Sequence, residues 1–501
     1  MGSTVGGRGG GEPRVHDAVP RGWHCLSGGR HDRSRPVGCT DQRSLLDDGV
    51  RVGHGGPVTV LPPGALTDPA ARAAATSDRS GRPGAEPLAV VRAVDVDHVV
   101  EVLRWATSTR TPVVTRGGGS GLAGGAVATQ GAVVLDVAGL DRIVSLDPVD
   151  EIAVVEPGVI TADLDAAARE HGLFYAPDPA SAHLSTIGGN IATNAGGMRC
   201  VKYGVTRDAV LGLEVVLADG RRLATGRGTL KGVTGYDLTS LLVGSEGTLG
   251  VIVGATLRLR PVPVAEATVA ASFADVETAA AATSALAAAR LVPSVLELLD
   301  ACTLATIDAA QGTSLSARGG ALVLARTDGP DAASQASAVA AVLGATATWI
   351  EHTEDAARAD ELLAARRLAL PSIERFGRAL IEDVCVPRSR LAEAVRGIEA
   401  ISAETGVTVH TFAHAGDGNL HPIVSWDPRL GDEVPEDVQL AADRIFDLAL
   451  ELGGTLTGEH GVGLLKREHA RRELGDTGLD VHRAIKHALD PLGLLNPGKA
   501  F

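Results

Sequence analysis

The chain has 501 residues, 45% of them hydrophobic and 21% charged, with a formal net charge of −15. That length exceeds what one hydrophobic core usually organises, so two domains are expected. The acidic balance excludes nucleic acid and an anionic membrane surface as natural partners. No uninterrupted apolar run approaches the roughly 20 residues a membrane helix needs. The five cysteines, Cys25, Cys39, Cys200, Cys302 and Cys385, form no Cys-x-x-Cys pair. The sequence therefore carries no iron–sulfur or structural zinc signature, fits a reducing cytoplasm, and leaves any electrons it handles to another partner.

Residues 1–57 are rich in Gly, Arg, Asp and His without periodicity, and read as a disordered extension or as sequence upstream of the true start. The first predicted helix has Asp95 as N-cap and buries Val96, Val99, Val100 and Leu103 on one face. A strand ending at Val113-Val114 then leads into Arg116-Gly117-Gly118-Gly119-Ser120-Gly121-Leu122-Ala123-Gly124-Gly125, with a literal dinucleotide fingerprint at Gly119, Gly121 and Gly124. The next strand, Ala132–Asp136, ends in the acid such a fingerprint wants. Only Gly125 to Gly131 lie between them, whereas a crossover helix needs roughly ten to twelve residues. Rossmann-type nicotinamide binding is thereby excluded, and what remains is a run of glycine amides able to approach phosphate closely.

A second glycine cluster runs from Pro177-Asp178-Pro179 through Gly188-Gly189-Asn190 to Gly196-Gly197. A third, Val243 to Gly250, carries Glu246 and Gly247 and feeds through Val251 and Ile252 into a strand over Thr256–Arg260. Three such loops, each beside a strand, point to a long phosphate-linked cofactor lying against backbone. After Pro263 the pattern predicts helices near Asp275–Arg290, Asp331–Leu343, Asp355–Leu370 and Ser389–Thr405, and a strand over Ala321–Arg326, with no internal repeat.

Further on, Val407, Val409 and Thr411 alternate with Thr408, His410 and Phe412, and Asp417-Gly418 reads as a two-residue hairpin turn. In that register Gly416 faces Asn419, Ala415 faces Leu420, and His414 faces His421. Two opposed imidazoles suit one ion. Glu459, in Thr457-Gly458-Glu459-His460-Gly461, adds the carboxylate of a divalent site with open positions.

Together, Arg-Gly-Gly-Gly-Ser-Gly-Leu-Ala-Gly-Gly, Gly-Gly-Asn-Ile-Ala-Thr-Asn-Ala-Gly-Gly, Gly-Ser-Glu-Gly-Thr-Leu-Gly, His-Ala-Gly-Asp-Gly-Asn-Leu-His, Gly-Glu-His-Gly-Val-Gly and Leu495-Asn496-Pro-Gly-Lys stand in one order from about Leu61 to the end. They resemble the FAD-linked 2-hydroxyacid dehydrogenases and oxidases, the family of D-lactate dehydrogenase (cytochrome) and the glycolate oxidase catalytic subunit. The resemblance implies an α+β fold. Residues 58–263 would form an FAD-binding domain of the vanillyl-alcohol-oxidase (PCMH) type with two subdomains, and 264–501 an α+β cap, the FAD-linked oxidase C-terminal domain. It implies FAD contacts at Arg116 to Leu122, Gly124 and Gly125. Further contacts are implied at Pro177, Asp178, Pro179, Ser185, Gly188, Gly189, Asn190, Ala192, Thr193, Asn194, Gly196, Gly197 and Tyr203. The third loop and the tail would add Glu246, Gly247, Gly250, Val251, Ile252 and Asn496. Gly119 stands where flavin-tethering relatives place a histidine, so the FAD is expected to be non-covalent, with Cys200 a small buried thiol.

Oxidising a 2-hydroxy acid requires a carboxylate anchor and a group that takes the hydroxyl proton. The planar fork of Arg366 suits the first task, and by resemblance it is Arg366 rather than Arg367. His460 suits the second, with Asn419 orienting it. A zinc, manganese or iron ion on His414, His421 and Glu459 would lower the hydroxyl's pKa. Asp383-Val-Cys385-Val-Pro387 leans toward the D-lactate branch, although Asp383 equally reads as a structural carboxylate. Expected partners are the hydroxy acid and a quinone, cytochrome or iron–sulfur acceptor, with no nucleic acid and no transmembrane segment. The expected location is the cytoplasm, including the inner face of the membrane. Competing readings are a zinc hydrolase using the same His-His-Glu set, a non-redox flavoprotein of the alkylglycerone-phosphate-synthase type, and a non-catalytic flavin-domain subunit.

Overall fold

The computed structural model describes residues 61–501 apart from Leu230 and Asp432, so the extension expected over 1–57 lies outside the described residues. Three larger sheets organise what is described. In the first, Ala65–Leu66, Ala89–Arg92, Val133–Asp136 and Val113–Arg116 lie side by side in that order. Val113–Arg116 and Val133–Asp136 run parallel, and no helix stands between them. The helix Val96–Thr109 covers this sheet with Val99, Val102, Leu103 and Ala106. Its N-cap is Asp95, whose carboxylate accepts from the His98 amide at 2.7 Å.

The second sheet is antiparallel, in the order Ile143–Asp147, Ile152–Val155, Val251–Arg258, Val210–Val216, Arg222–Gly226. Ile187 and Ile191 of the short helix Ile187–Thr193 sink into its core, which seats the second glycine cluster. The third glycine loop opens directly into the central strand of this sheet.

The third sheet has eight strands, all antiparallel. Their order is Trp349–Thr353, Glu266–Phe273, Ala321–Asp328, Val295–Asp300, Thr408–His414, Asn419–Trp426, Arg378–Ile381, with Val384–Cys385 also on Asn419–Trp426. Alternation along its strands sends side chains to opposite faces. Leu296, Leu298, Ala413 and Leu420 pack under the helices Val276–Ala288, Ala332–Gly344, Leu391–Thr405 and Glu436–Glu451. Val295, Leu299, Phe412 and Ile423 face Ala301–Gln311 and Ala356–Phe376. That second helix runs past Leu370 and through Pro371, because Ala369, Ser372 and Ile373 remain buried and their packing outweighs one lost backbone donor.

The hairpin register differs from the expected one. Thr408–His414 and Asn419–Trp426 pair so that His414 faces Asn419, Ala413 faces Leu420 and Phe412 faces His421. The loop has four residues, closed by Asp417 and Gly418 amides donating to the His414 carbonyl at 3.3 and 3.1 Å. Side chains at Gly416 and Gly418 would strike Val201 and the Val386 carbonyl, so this wider loop is wedged between neighbours rather than free to tighten. A two-residue change in pairing preserves which face each side chain occupies. His414 and His421 therefore remain on one face as diagonal neighbours.

The tail returns to the first sheet. Leu495 bridges to Val113 in parallel, and the Asn496 amide donates to the Val113 carbonyl at 2.8 Å.

Candidate active site

Strand alternation puts His414, Asn419 and His421 on the face toward the helix Ala356–Phe376. The two imidazoles meet Glu459: His414 Nε2 lies 3.5 Å and His421 Nε2 3.2 Å from Glu459 Oε1. The two imidazoles stand edge to face, centroids 5.0 Å apart. His414, His421 and Glu459 each offer one ligand atom, all within 4.8 Å of one another. Two imidazoles and a carboxylate with an open side are the donor set of a hydrated divalent cation, so the residues present fit one.

Glu297 was not legible as a site residue. It belongs to the strand Val295–Asp300, on the same face as Val295 and Leu299, and is fully buried. Its Oε1 accepts from His414 Nδ1 at 2.7 Å, which leaves Nε2 directed at Glu459. Its Oε2 accepts from Arg366 Nε at 2.5 Å. The Arg366 guanidinium also lies 4.2 Å from the Phe412 ring centroid, a cation–π contact. Neither Arg366 Nη makes a hydrogen bond among the described residues, so both remain for a ligand. An acid inside a buried hydrophobic strand is the signal that points to Glu297.

His460 stacks on His421 with centroids 5.3 Å apart and planes 20° from parallel. Burial pushes the His460 ring down to about 4, against the pull of Asp383, so it is a neutral base near pH 7. Its Nδ1, Asn419 Oδ1 and Asp383 Oδ1 are buried without hydrogen-bond partners among the described residues. Asn419 makes no hydrogen bond to His460; its amide is pressed instead by Gly458. Burial also opposes charge on His414 and Glu459. Glu297 and Glu459 nevertheless hold His414 well above the ordinary imidazole range, and His414 and His421 hold Glu459 well below the carboxylate range.

Two buried carboxylates grip the segment that carries Glu459 and His460. Asp383 Oδ2 accepts from Thr457 Oγ1 at 2.7 Å and from the Glu459 and His460 amides at 3.0 and 2.9 Å. Burial resists its ionisation, but His460, Lys466 and His421 overcome that and depress its pKa strongly. Buried Lys466 anchors the same corner through the Asp383 and Leu456 carbonyls. From the other side, Glu246 accepts from the Val462 and Gly463 amides at 2.8 and 2.7 Å.

The glycine loops converge on this corner. The amides of Gly117, Gly118, Gly119, Ser120 and Gly121 have no acceptor among the described residues. Side chains at Gly117 and Gly118 would strike Thr186 and the Leu184 carbonyl, so the first loop lies against the second. At Gly119, φ is +66° and a side chain would strike Arg116, which itself donates to the Ser77 carbonyl at 2.7 Å. A side chain at Gly188 would strike Pro157, one at Gly197 Asp178, and one at Gly250 Val215, while one at Gly196 would strike Glu459. By contrast, Gly121, Gly125 and Gly247 have no atom within 3.5 Å on their Cβ side. A strip of free amides bordered by open glycine surface is the cradle a dinucleotide's phosphates need, and the chain fits FAD there.

Several side chains expected at FAD are engaged with protein. Asn496 donates to the Gly125 and Glu246 carbonyls at 2.9 and 2.6 Å. Asn190 donates to Thr161, Thr193 to the Gly189 carbonyl and Tyr203 to Asp328, while Asn194 accepts from the Arg207 amide. Ser185 lies 3.2 Å from Thr161 Oγ1. Asp178, half-buried and pushed up to about 6 by desolvation, accepts from the Arg199 amide. Val251 and Ile252 are core side chains, and they pair with Val216 and Val215 of the neighbouring strand. Leu122, Gly124, Pro177 and Pro179 lie on these same loops, and Gly189 and Ala192 lie in the short helix Ile187–Thr193.

A family described as FAD binding domain matches residues 87–226, and FAD linked oxidases, C-terminal domain, matches 262–500. The glycolate oxidase subunit GlcD of Bacillus subtilis is 42% identical over 421 residues, 83% of this chain and 89% of that protein. A D-lactate dehydrogenase of Archaeoglobus fulgidus is 36% identical over 422 residues, 83% of this chain and 91% of that one. Among solved structures, p-cresol methylhydroxylase with substrate bound has a TM-score of 0.71 at 17% identity, over 87% of this chain and 93% of its own, a likeness of fold.

Proposed function

The chain belongs to the FAD-linked oxidases, as an FAD-dependent oxidoreductase of hydroxy acids with the α+β fold of the PCMH-type flavoproteins, and from that premise we propose a short D-2-hydroxy acid as substrate, oxidised to the 2-keto acid. The observation that carries this reading is Arg366, whose Nε stands on the same buried carboxylate as His414 and whose two Nη groups are unpaired among the described residues. In this reading Arg366 holds the substrate carboxylate in two hydrogen bonds. His414, His421 and Glu459 would hold a divalent cation, which polarises the hydroxyl and lowers its pKa. His460, neutral and adjacent, receives the hydroxyl proton. Bound FAD supplies the two-electron oxidising power. Gly119 offers no nucleophile for a covalent link, so acid precipitation of the protein should release the flavin into solution.

D-lactate is the first substrate to test. Glycolate is the second reading, favoured by the 42% identity to GlcD and by the structural use of Asp383. Because Asp383 holds the Glu459–His460 backbone, the segment around it serves either substrate. The electron acceptor is a separate quinone, cytochrome or iron–sulfur partner. No described helix is long and apolar enough to cross a membrane, and we place the protein in the cytoplasm, including the inner membrane face. The test is anaerobic addition of each acid to the purified yellow protein. Bleaching by D-lactate or glycolate but not by L-lactate, slowed by a chelator, is the expected result. A yellow protein that none of these acids bleaches would remove the proposed activity.

A further inference from the structure

We infer that Glu297 is a positioning residue that sets the substrate-carboxylate grip and the hydroxyl-activating group at a fixed spacing, and so selects acids whose hydroxyl is on the carbon next to the carboxylate. The inference rests on Arg366 being the carboxylate anchor. Glu297 has two oxygens and both are used, one by Arg366 Nε at 2.5 Å and one by His414 Nδ1 at 2.7 Å. The two groups come from different elements, the helix Ala356–Phe376 and the strand Thr408–His414, and Glu297 sits on a third, the strand Val295–Asp300. Glu297 is fully buried, with the apolar residues Val295 and Leu299 on its own face, so water does not substitute for it.

The geometry has two consequences. Because Glu297 accepts the hydrogen bond from Nε, both Nη groups of Arg366 stay without a hydrogen-bond partner among the described residues, with Phe412 against the guanidinium plane. Accepting at Nδ1 directs His414 Nε2 toward Glu459. One rigid side chain thereby fixes the distance between the atoms that take the carboxylate and those that take the hydroxyl. A fixed spacing discriminates between acids by the number of carbons separating carboxylate from hydroxyl, one more in a 3-hydroxy acid than in a 2-hydroxy acid.

Glu297→Gln tests the assignment, because an amide keeps the shape but has only one acceptor oxygen for two N–H donors. It should raise KM for glycolate and D-lactate by about 10–100-fold, with a smaller change in kcat. Its preference for glycolate over 3-hydroxypropionate should fall by about tenfold or more. Oxalate, which binds without turning over, should need a correspondingly higher concentration to perturb the flavin spectrum. Glu297→Asp, which keeps the charge but withdraws it by one methylene, should move selectivity in the same direction. Wild-type KM, selectivity and oxalate binding in both variants would overturn the inference. So would loss of folding or of FAD in both, which would make Glu297 a structural residue. If the wild-type protein turns over no hydroxy acid, the proposed function fails, and the oxalate titration still decides whether Glu297 sets the carboxylate grip.

Discussion

The two halves of the active site carry function in different ways. Along the glycine loops it is the backbone that is exposed for use: five successive amides from Gly117 to Gly121 lack acceptors among the described residues, while side chains such as Asn190 and Asn496 are spent on protein. In the cluster on the eight-stranded sheet it is the side chains that act, and the backbone serves to hold them, as Asp383 does with the Glu459 and His460 amides. A backbone site is tuned by where a side chain is forbidden. A side-chain site is tuned by buried charges that fix tautomer and direction. Mutations should therefore separate the two.

The largest expected effect is in the side-chain half. His421→Ala removes one of the three clustered ligand atoms and the ring on which His460 stacks. It should lower kcat/KM for the hydroxy acid by about 10²–10⁴ and leave the visible flavin spectrum in place. Dialysis against a chelator should imitate it, reversibly on adding back zinc or manganese. Loss of yellow colour in His421→Ala would break the distinction between the halves.

The glycine loops give the next contrast. At Gly118 a methyl group would run into the Leu184 carbonyl, whereas at Gly121 the nearest atom is Asp78 Oδ2 at 3.9 Å. Gly118→Ala should destabilise the protein by about 1–3 kcal/mol, with or without FAD, because backbone must move. Gly121→Ala should leave the melting temperature of the flavin-free protein unchanged and weaken FAD binding by about tenfold, since only the ligand occupies that space. Equal loss of stability in both would mean that Gly121, too, is reserved for protein packing.

This contrast also explains what could be read from the sequence. Helices announced themselves through their caps, as Asp95, Asp275 and Asp355 each accept from an amide three residues on. The cofactor loops were legible because glycine runs have few other uses, although the pattern does not separate Gly118, packed on protein, from Gly121, open to a ligand. The candidate ligands His414, His421 and Glu459 were legible as residue types, but their pairing was not. A turn motif ranks local preferences, and the packing of Gly416 on Val201 and of Gly418 on Val386 decides the loop. Glu297 escaped as a working residue, and the partners of Asp383 went unread, because a buried carboxylate's role depends on partners far along the chain. The return of Leu495 to Val113 has no local signal at all.

Glu246 is where the halves meet, and its loss should be smaller but felt on both sides. It takes two amides from the Val462–Gly463 turn, two residues beyond His460, while its own carbonyl accepts from Asn496. Glu246→Gln leaves one of those amides facing a donor, a cost of about 1–3 kcal/mol. It should reduce both FAD retention and turnover, measured by flavin content after gel filtration and by kcat. A variant that lowers only one of them would show that the two halves are held independently.

The smallest effect is a pH signature confined to the cofactor half. Lys499 is buried, donates to the Val127 carbonyl and Asn496 Oδ1, and is pushed down to about 7 by burial against the pull of Asp78 and Glu246. In the unfolded chain a lysine titrates near 10.4. Between those values the unfolded chain binds a proton that the folded one lacks, so this group makes stability rise with pH from about 7 to about 10. Below 7 both states are protonated and the contribution is flat. Lys499→Met removes the group, so the difference in melting temperature between wild type and variant should shift in favour of wild type as pH climbs from 7 to 9.5. The kcat of the FAD-saturated variant should follow the wild-type pH profile, since the hydrogen-bond partners of Lys499, Val127 and Asn496, lie off the eight-stranded sheet. A gap that stays constant across that range would mean that Lys499 remains charged in the fold, with its ammonium balanced by Asp78 and Glu246 rather than driven out by burial.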